Sequence, residues 1–132
     1  MNHQLKQEII DYAYSIGIDS IGFTTADPFD ELKQKLVDYH EKGYASGFEE
    51  SDIALRTEPK LSLPTARSII AIAVGYPNKL KGAPKRVKGD RRGMFARASW
   101  GQDYHSIMKK RLDKLSEFIQ SKVPDVEIKS MV

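Results

Sequence analysis

With 132 residues the chain has room for one domain and can bury roughly two-thirds of its unfolded surface. Hydrophobic residues at 40% against 30% charged describe a globular chain, and a net charge of +3 is too small by itself to indicate nucleic acid. The absence of cysteine excludes disulfides, thiolate zinc sites and cysteine-ligated iron–sulfur clusters on this chain, and fits a cytoplasmic location.

Leu5, Ile9, Ala13 and Ile16 recur at helical spacing directly from the N-terminus, with no signal-peptide core before them, and Gly17 is a natural helix stop. Ile18, Ile21 and Phe23 predict a short strand. Asp27 and Pro28 read as N-cap and first residue of a second helix. Phe29, Leu32, Leu36 and Tyr39 form its apolar face and Gly43 its end. Residues 44–67 carry turn signals (Gly47, Pro59, Pro64) and a helical turn starting near Ser51. Residues 68–76 are continuously apolar, which predicts a strand buried on both faces. No run reaches membrane-spanning length, so no membrane association is expected. Residues 78–93 read as a basic loop. Tyr104, Ile107, Met108, Leu112, Leu115, Phe118 and Ile119 make the longest helical face, broken at Val123 and Pro124, after which Val126, Ile128 and Met131 suggest a further strand. Alternating helices and strands predict an α/β fold, a layered sheet flanked by helices. The sheet should be incomplete, with an open edge that favours self-association.

Chemistry-bearing residues concentrate in one stretch: Ala96, Arg97, Ala98, Ser99, Trp100, Gly101, Gln102, Asp103, Tyr104 and His105. It opens the last helix, where backbone N–H groups lack intrahelical partners and can face a ligand. The plainer alternatives are Ser99 or Asp103 as N-cap, Trp100 as a core plug, an Arg97–Asp103 ion pair and a structural His105. Upstream, Lys79, Lys81, Lys85, Arg86, Lys88, Arg91 and Arg92 face the lone acid Asp90, so the loop is either an RNA contact or simply solvated. His3, His40 and His105 show no paired ligand spacing, and no phosphate-loop or dinucleotide motif is present.

The decapeptide resembles a signature of the epoxyqueuosine reductases, Ala-Arg-Tyr-(Ala/Ser)-Trp-Gly-x-Asp-Tyr-His, with Ala98 in place of the frequent Tyr. Arg56, Pro59, Pro64, Ala66 and Ser68 fall where that family has Arg-x-x-Pro-x-x-Leu-x-Pro-x-Ala-x-Ser, with Ser62 at the place of its Leu and Leu61 and Leu63 on either side. The apolar strand ending in Tyr76 and Pro77 follows in the same order, and the likeness covers essentially the whole chain.

That resemblance implies a cobalamin-dependent, iron–sulfur oxidoreductase that reduces epoxyqueuosine to queuosine in the anticodon stem-loop of tRNA. Residues 1–132 would be the N-terminal part of its cobalamin-binding domain, in a parent enzyme expected to be monomeric. The iron–sulfur clusters and a proton-donating aspartate would lie beyond Val132, leaving this segment without a catalytic residue, without a metal site and inactive alone. Expected cofactor-binding residues are Arg56, Ala96, Arg97, Ala98, Trp100, Asp103, Tyr104 and His105. Expected RNA contacts are Lys85, Arg86, Arg91 and Arg92. Arg56 reads equally as a cation placed at a helix C-terminus. Competing classes are a non-enzymic RNA-binding module and a related corrinoid or flavin oxidoreductase acting on a small molecule.

Overall fold

The apolar spacing at the N-terminus becomes α1 (His3–Ser15), which buries Ile9 and Ala13 and stops at Gly17 with φ +84°. The remaining elements follow as β1 (Ser20–Thr25), α2 (Asp30–Glu41), α3 (Ile53–Thr57), α4 (Pro59–Ser62), β2 (Ser68–Ala73) and α5 (Tyr104–Lys122). This computed structural model describes residues 3–76, 82, 87–91, 93, 95–96 and 99–132. Two units divide the chain: Met1–Ile21, Ile72–Val126 and Ser130–Val132 in the first, Gly22–Ala71 and Glu127–Lys129 in the second.

In the first unit α1 packs on α5. Ile9, Ala13, Ile18 and Leu115 form its buried centre. Beside them Tyr12 and Phe118 stack with centroids 4.1 Å apart and planes 7° from parallel. Lys122 closes this contact, its ammonium 5.4 Å from the Phe118 centroid and 2.7 Å from the Glu8 carboxylate. The pairing holds the Glu8 carboxyl below its usual range, through the hydrogen bond from Lys122 and then its charge.

The second unit is built on short helices. α2 packs on α3, and α3 on α4. Asp52 caps α3 by accepting from the Ala54 and Leu55 amides at 2.8 and 3.4 Å, and Pro59 opens α4, where its missing N–H costs nothing. The expected start of the second helix is corrected: Asp27 and Pro28 lie outside α2, which begins at Asp30 with no side-chain cap. The cause is tertiary. Phe29 donates its amide to the Thr57 carbonyl at 2.9 Å, which fixes the residue before the helix can start.

Both strands run through both units and pair antiparallel. Asp19 donates to the Ala73 carbonyl at 3.0 Å in the first unit, and Ala26 to the Arg67 carbonyl at 3.2 Å in the second. The α/β class is as expected, with a sheet of two strands among the described residues. Burial of β2 on both faces is not found: Ile70 and Ile72 are half-buried while Ala71 and Ala73 are exposed. Ile69, on the face of the two alanines, is half-buried as well, so each face is partly covered and neither is sealed; the alanines extend the apolar run in sequence yet have little surface to hide. Nor does the stretch from Val126 join the sheet. Side chains anchor it instead: the Thr65 hydroxyl donates to the Glu127 carboxylate, and Lys129 donates to the Ser62 carbonyl at 3.1 Å. Among the described residues no helix is long and apolar enough to cross a membrane.

Candidate functional site at the start of the last helix

Gly101, at φ +90°, turns the chain into α5, and Asp103 caps it. One carboxylate oxygen of Asp103 accepts twice from His105, from the backbone N–H at 3.0 Å and from ring Nδ1 at 2.8 Å. The same two contacts, the ring first, hold the Asp103 carboxyl below its ordinary range. A carboxylate can only accept, so Nδ1 carries the hydrogen and Nε2 is the ring nitrogen presented to a ligand. The imidazole also lies on the Tyr104 ring, centroids 4.0 Å apart and planes at 27°. An exposed histidine is thereby fixed from two directions. Together the two rings offer a flat face edged by one hydrogen-bonding nitrogen, suited to a planar polar ligand.

Asp103, Tyr104 and His105, adjacent in the sequence, contact one another through their side chains at the His105 ring. The cap is Asp103, with Ser99 lying upstream, where its amide donates to the Ala96 carbonyl at 2.9 Å. What sequence reasoning missed was the Asp103–His105 pairing itself; the signal was an aspartate two residues before a histidine at a helix start. Trp100 is half-buried, neither a sealed plug nor an open platform. Ala96 and Arg91 are exposed. Arg97 and Ala98, and Lys85, Arg86 and Arg92 of the basic loop, lie outside the described residues.

Arg56 belongs to the second unit, in the last turn of α3. Next to it Thr57 is fully buried, its hydroxyl donating to the Ile53 carbonyl at 2.8 Å. Arg56 as a whole is half-buried, and its Nη1 is sealed from solvent with no hydrogen-bond partner among the described residues. A buried donor without an acceptor costs on the order of 1–3 kcal/mol. No group of three or more potential metal-ligating side chains occurs among the described residues.

Residues 56–132 match the family described as epoxyqueuosine reductase QueG, DUF1730. The chain belongs to that family. An epoxyqueuosine reductase from Staphylococcus aureus is 88% identical over 129 residues, a match covering 98% of this chain and 34% of the relative. A solved epoxyqueuosine reductase from Bacillus subtilis, with an aspartate-bearing catalytic loop swung out of its active site, is 55% identical with a TM-score of 0.88. That match covers 98% of this chain and 35% of the solved one. Another, solved with an epoxyqueuosine-modified tRNA-Tyr stem loop, gives the same identity and TM-score over 98% of this chain and 34% of its own. The chain thus spans about a third of the length of the epoxyqueuosine reductases it matches.

Proposed function

We propose that this chain is the N-terminal segment of an epoxyqueuosine reductase, contributing part of the corrinoid pocket and contacts to the tRNA anticodon stem-loop. The observation that carries this reading is the 0.88 TM-score at 55% identity to a reductase solved with an epoxyqueuosine-modified stem loop. The net reaction removes the epoxide oxygen as water, consuming two electrons and two protons and leaving an alkene in the modified base. Cobalamin, when bound, supplies the electron-transferring metal centre for that reduction.

This chain's own residues orient and bind. A corrin rim presents carboxamides, whose oxygens suit the orphaned Arg56 donor; separately, their N–H groups suit Nε2 of His105, an acceptor once Nδ1 carries the hydrogen. Asp103 keeps that imidazole in one tautomer, and Tyr104 supports its face. Arg91, with Lys85, Arg86 and Arg92, adds cations for phosphates. Iron–sulfur clusters would be held by residues outside these 132, which include no cysteine.

Titrating cobalamin into the full-length reductase, followed by its visible spectrum, tests the pocket directly. Saturable binding with a shifted spectrum is expected, together with salt-dependent binding of a tRNA stem loop. A full-length protein that ignores the corrinoid refutes the pocket. Stem-loop binding alone would then identify a non-enzymic RNA module, and corrinoid binding alone a reductase of small molecules.

A further inference from the structure

In the first unit the surroundings of His105 leave its ring with one chemical preference. The Asp103 carboxylate takes the Nδ1 hydrogen at 2.8 Å, and that bond together with the His105 amide holds the carboxyl below its ordinary range. An ionised carboxylate cannot donate, so the tautomer with its hydrogen on Nε2 is disfavoured, and turning the ring over would lose the bond to Asp103. The stack on Tyr104, centroids 4.0 Å apart, fixes the plane of the ring as well. Nε2 therefore presents a lone pair held in place and open to a ligand, with the side chains of His105 and Asp103 58% and 67% exposed.

We propose that Asp103 and His105 select a carboxamide against a carboxylate at one position of the corrinoid rim, a proposal that rests on the corrinoid reading above. The two groups share a shape and differ in hydrogen. A primary amide can turn an N–H towards Nε2, whereas an ionised carboxylate brings only lone pairs to it. It also meets the negative charge of Asp103, 2.8 Å behind the other ring nitrogen. A site that holds one polar group by a hydrogen bond rejects the analogue that leaves the bond unmade more strongly than shape alone would. Arg56, in the second unit, has the opposite preference, since a guanidinium bonds a carboxylate at least as well as an amide oxygen. General repulsion of negative charge would not distinguish one rim position from another, whereas a single fixed acceptor does.

The experiment titrates the full-length reductase at neutral pH with cobalamin and with its isomeric monocarboxylic acids, in each of which one peripheral carboxamide is hydrolysed, and follows the visible spectrum. One isomer should bind roughly tenfold or more weaker than cobalamin, and the others should be less affected. Asp103→Asn keeps α5 capped, because Asn serves that position as well as Asp. Its amide can either accept from Nδ1 or donate to it, so the Nε2–H tautomer becomes available and the gap for that isomer should largely close. His105→Phe keeps a ring against Tyr104 without the nitrogen, and should close the same gap. Equal affinity of every isomer for the unsubstituted reductase overturns the proposal. Equal weakening of all of them also overturns it, and assigns the effect to general repulsion. A gap that survives both substitutions overturns it too, and places the selection elsewhere. If cobalamin itself does not bind, the corrinoid reading fails and takes this proposal with it. Cobalamin that binds alongside indiscriminate acids sinks the selection alone.

Discussion

The guanidinium of Arg111 lies directly over Gly17, with Nη2 3.3 Å from the position a Cβ on that glycine would take. Gly17 is thus constrained twice, by its φ of +84° and by the side chain above it. Gly17→Ala should destabilise the chain by about 1–2 kcal/mol, from left-handed backbone strain and displacement of Arg111. Urea unfolding would check this. A loss that disappears in an Arg111→Ala background would assign the cost to the clamp, and one that persists would assign it to the backbone.

Tyr12 and Phe118 join α1 to α5 by nearly parallel rings 4.1 Å apart. Replacing Phe118 with Ala should cost about 3 kcal/mol, the order expected for truncating a packed aromatic. A double-mutant cycle with Tyr12→Ala should return a coupling of roughly 0.5–1.5 kcal/mol. Additive losses would mean that the rings share area with the helices but not with each other.

Helix positions were legible where one face carried a regular apolar pattern and a breaker marked the end, Gly17 after α1 and Pro124 after α5. What escaped was decided at a distance. Nothing near Asp27 announces that Phe29 will bond to the Thr57 carbonyl and delay α2. The run from Ser68 looked buried on both faces because Ala71 and Ala73 count as apolar while needing no cover. At the candidate site, residue types gave the grouping of Asp103, Tyr104 and His105. The bond between carboxylate and imidazole depends on a rotamer and backbone turn that composition does not encode.

Glu49 makes the turn at Gly47 sensitive to acid, because its carboxylate accepts from the Ser46 amide at 2.9 Å and from the Phe48 amide at 3.1 Å. Its carboxyl is held down at about 2, first by the Ser46 hydroxyl and then by backbone amides including those of Ser46 and Phe48. Because the folded-state value lies below the unfolded one near 4.5, its contribution is complete above about pH 4.5 and disappears as pH falls towards 2. The amide resonances of Ser46 and Phe48 should accordingly stay constant from neutral pH to near 4 and move together in stronger acid. Glu49→Gln should remove that transition. Independent titration of the two amides would show that one carboxylate does not hold both.

Arg56 offers a choice between two physical roles with opposite signs. As a cation in the last turn of α3 it would stabilise by roughly 0.3–1 kcal/mol through the helix dipole. As a guanidinium whose Nη1 is buried without an acceptor it should instead cost the chain on the order of 1–3 kcal/mol, a cost that a carbonyl-rich ligand would relieve. Arg56→Met keeps the length of the side chain and removes the donor. We expect the substituted 132-residue chain to unfold at a higher urea concentration than the original, and the full-length reductase carrying it to bind cobalamin more weakly. Loss of stability with undiminished cobalamin affinity would return Arg56 to the dipole role and take it out of the pocket.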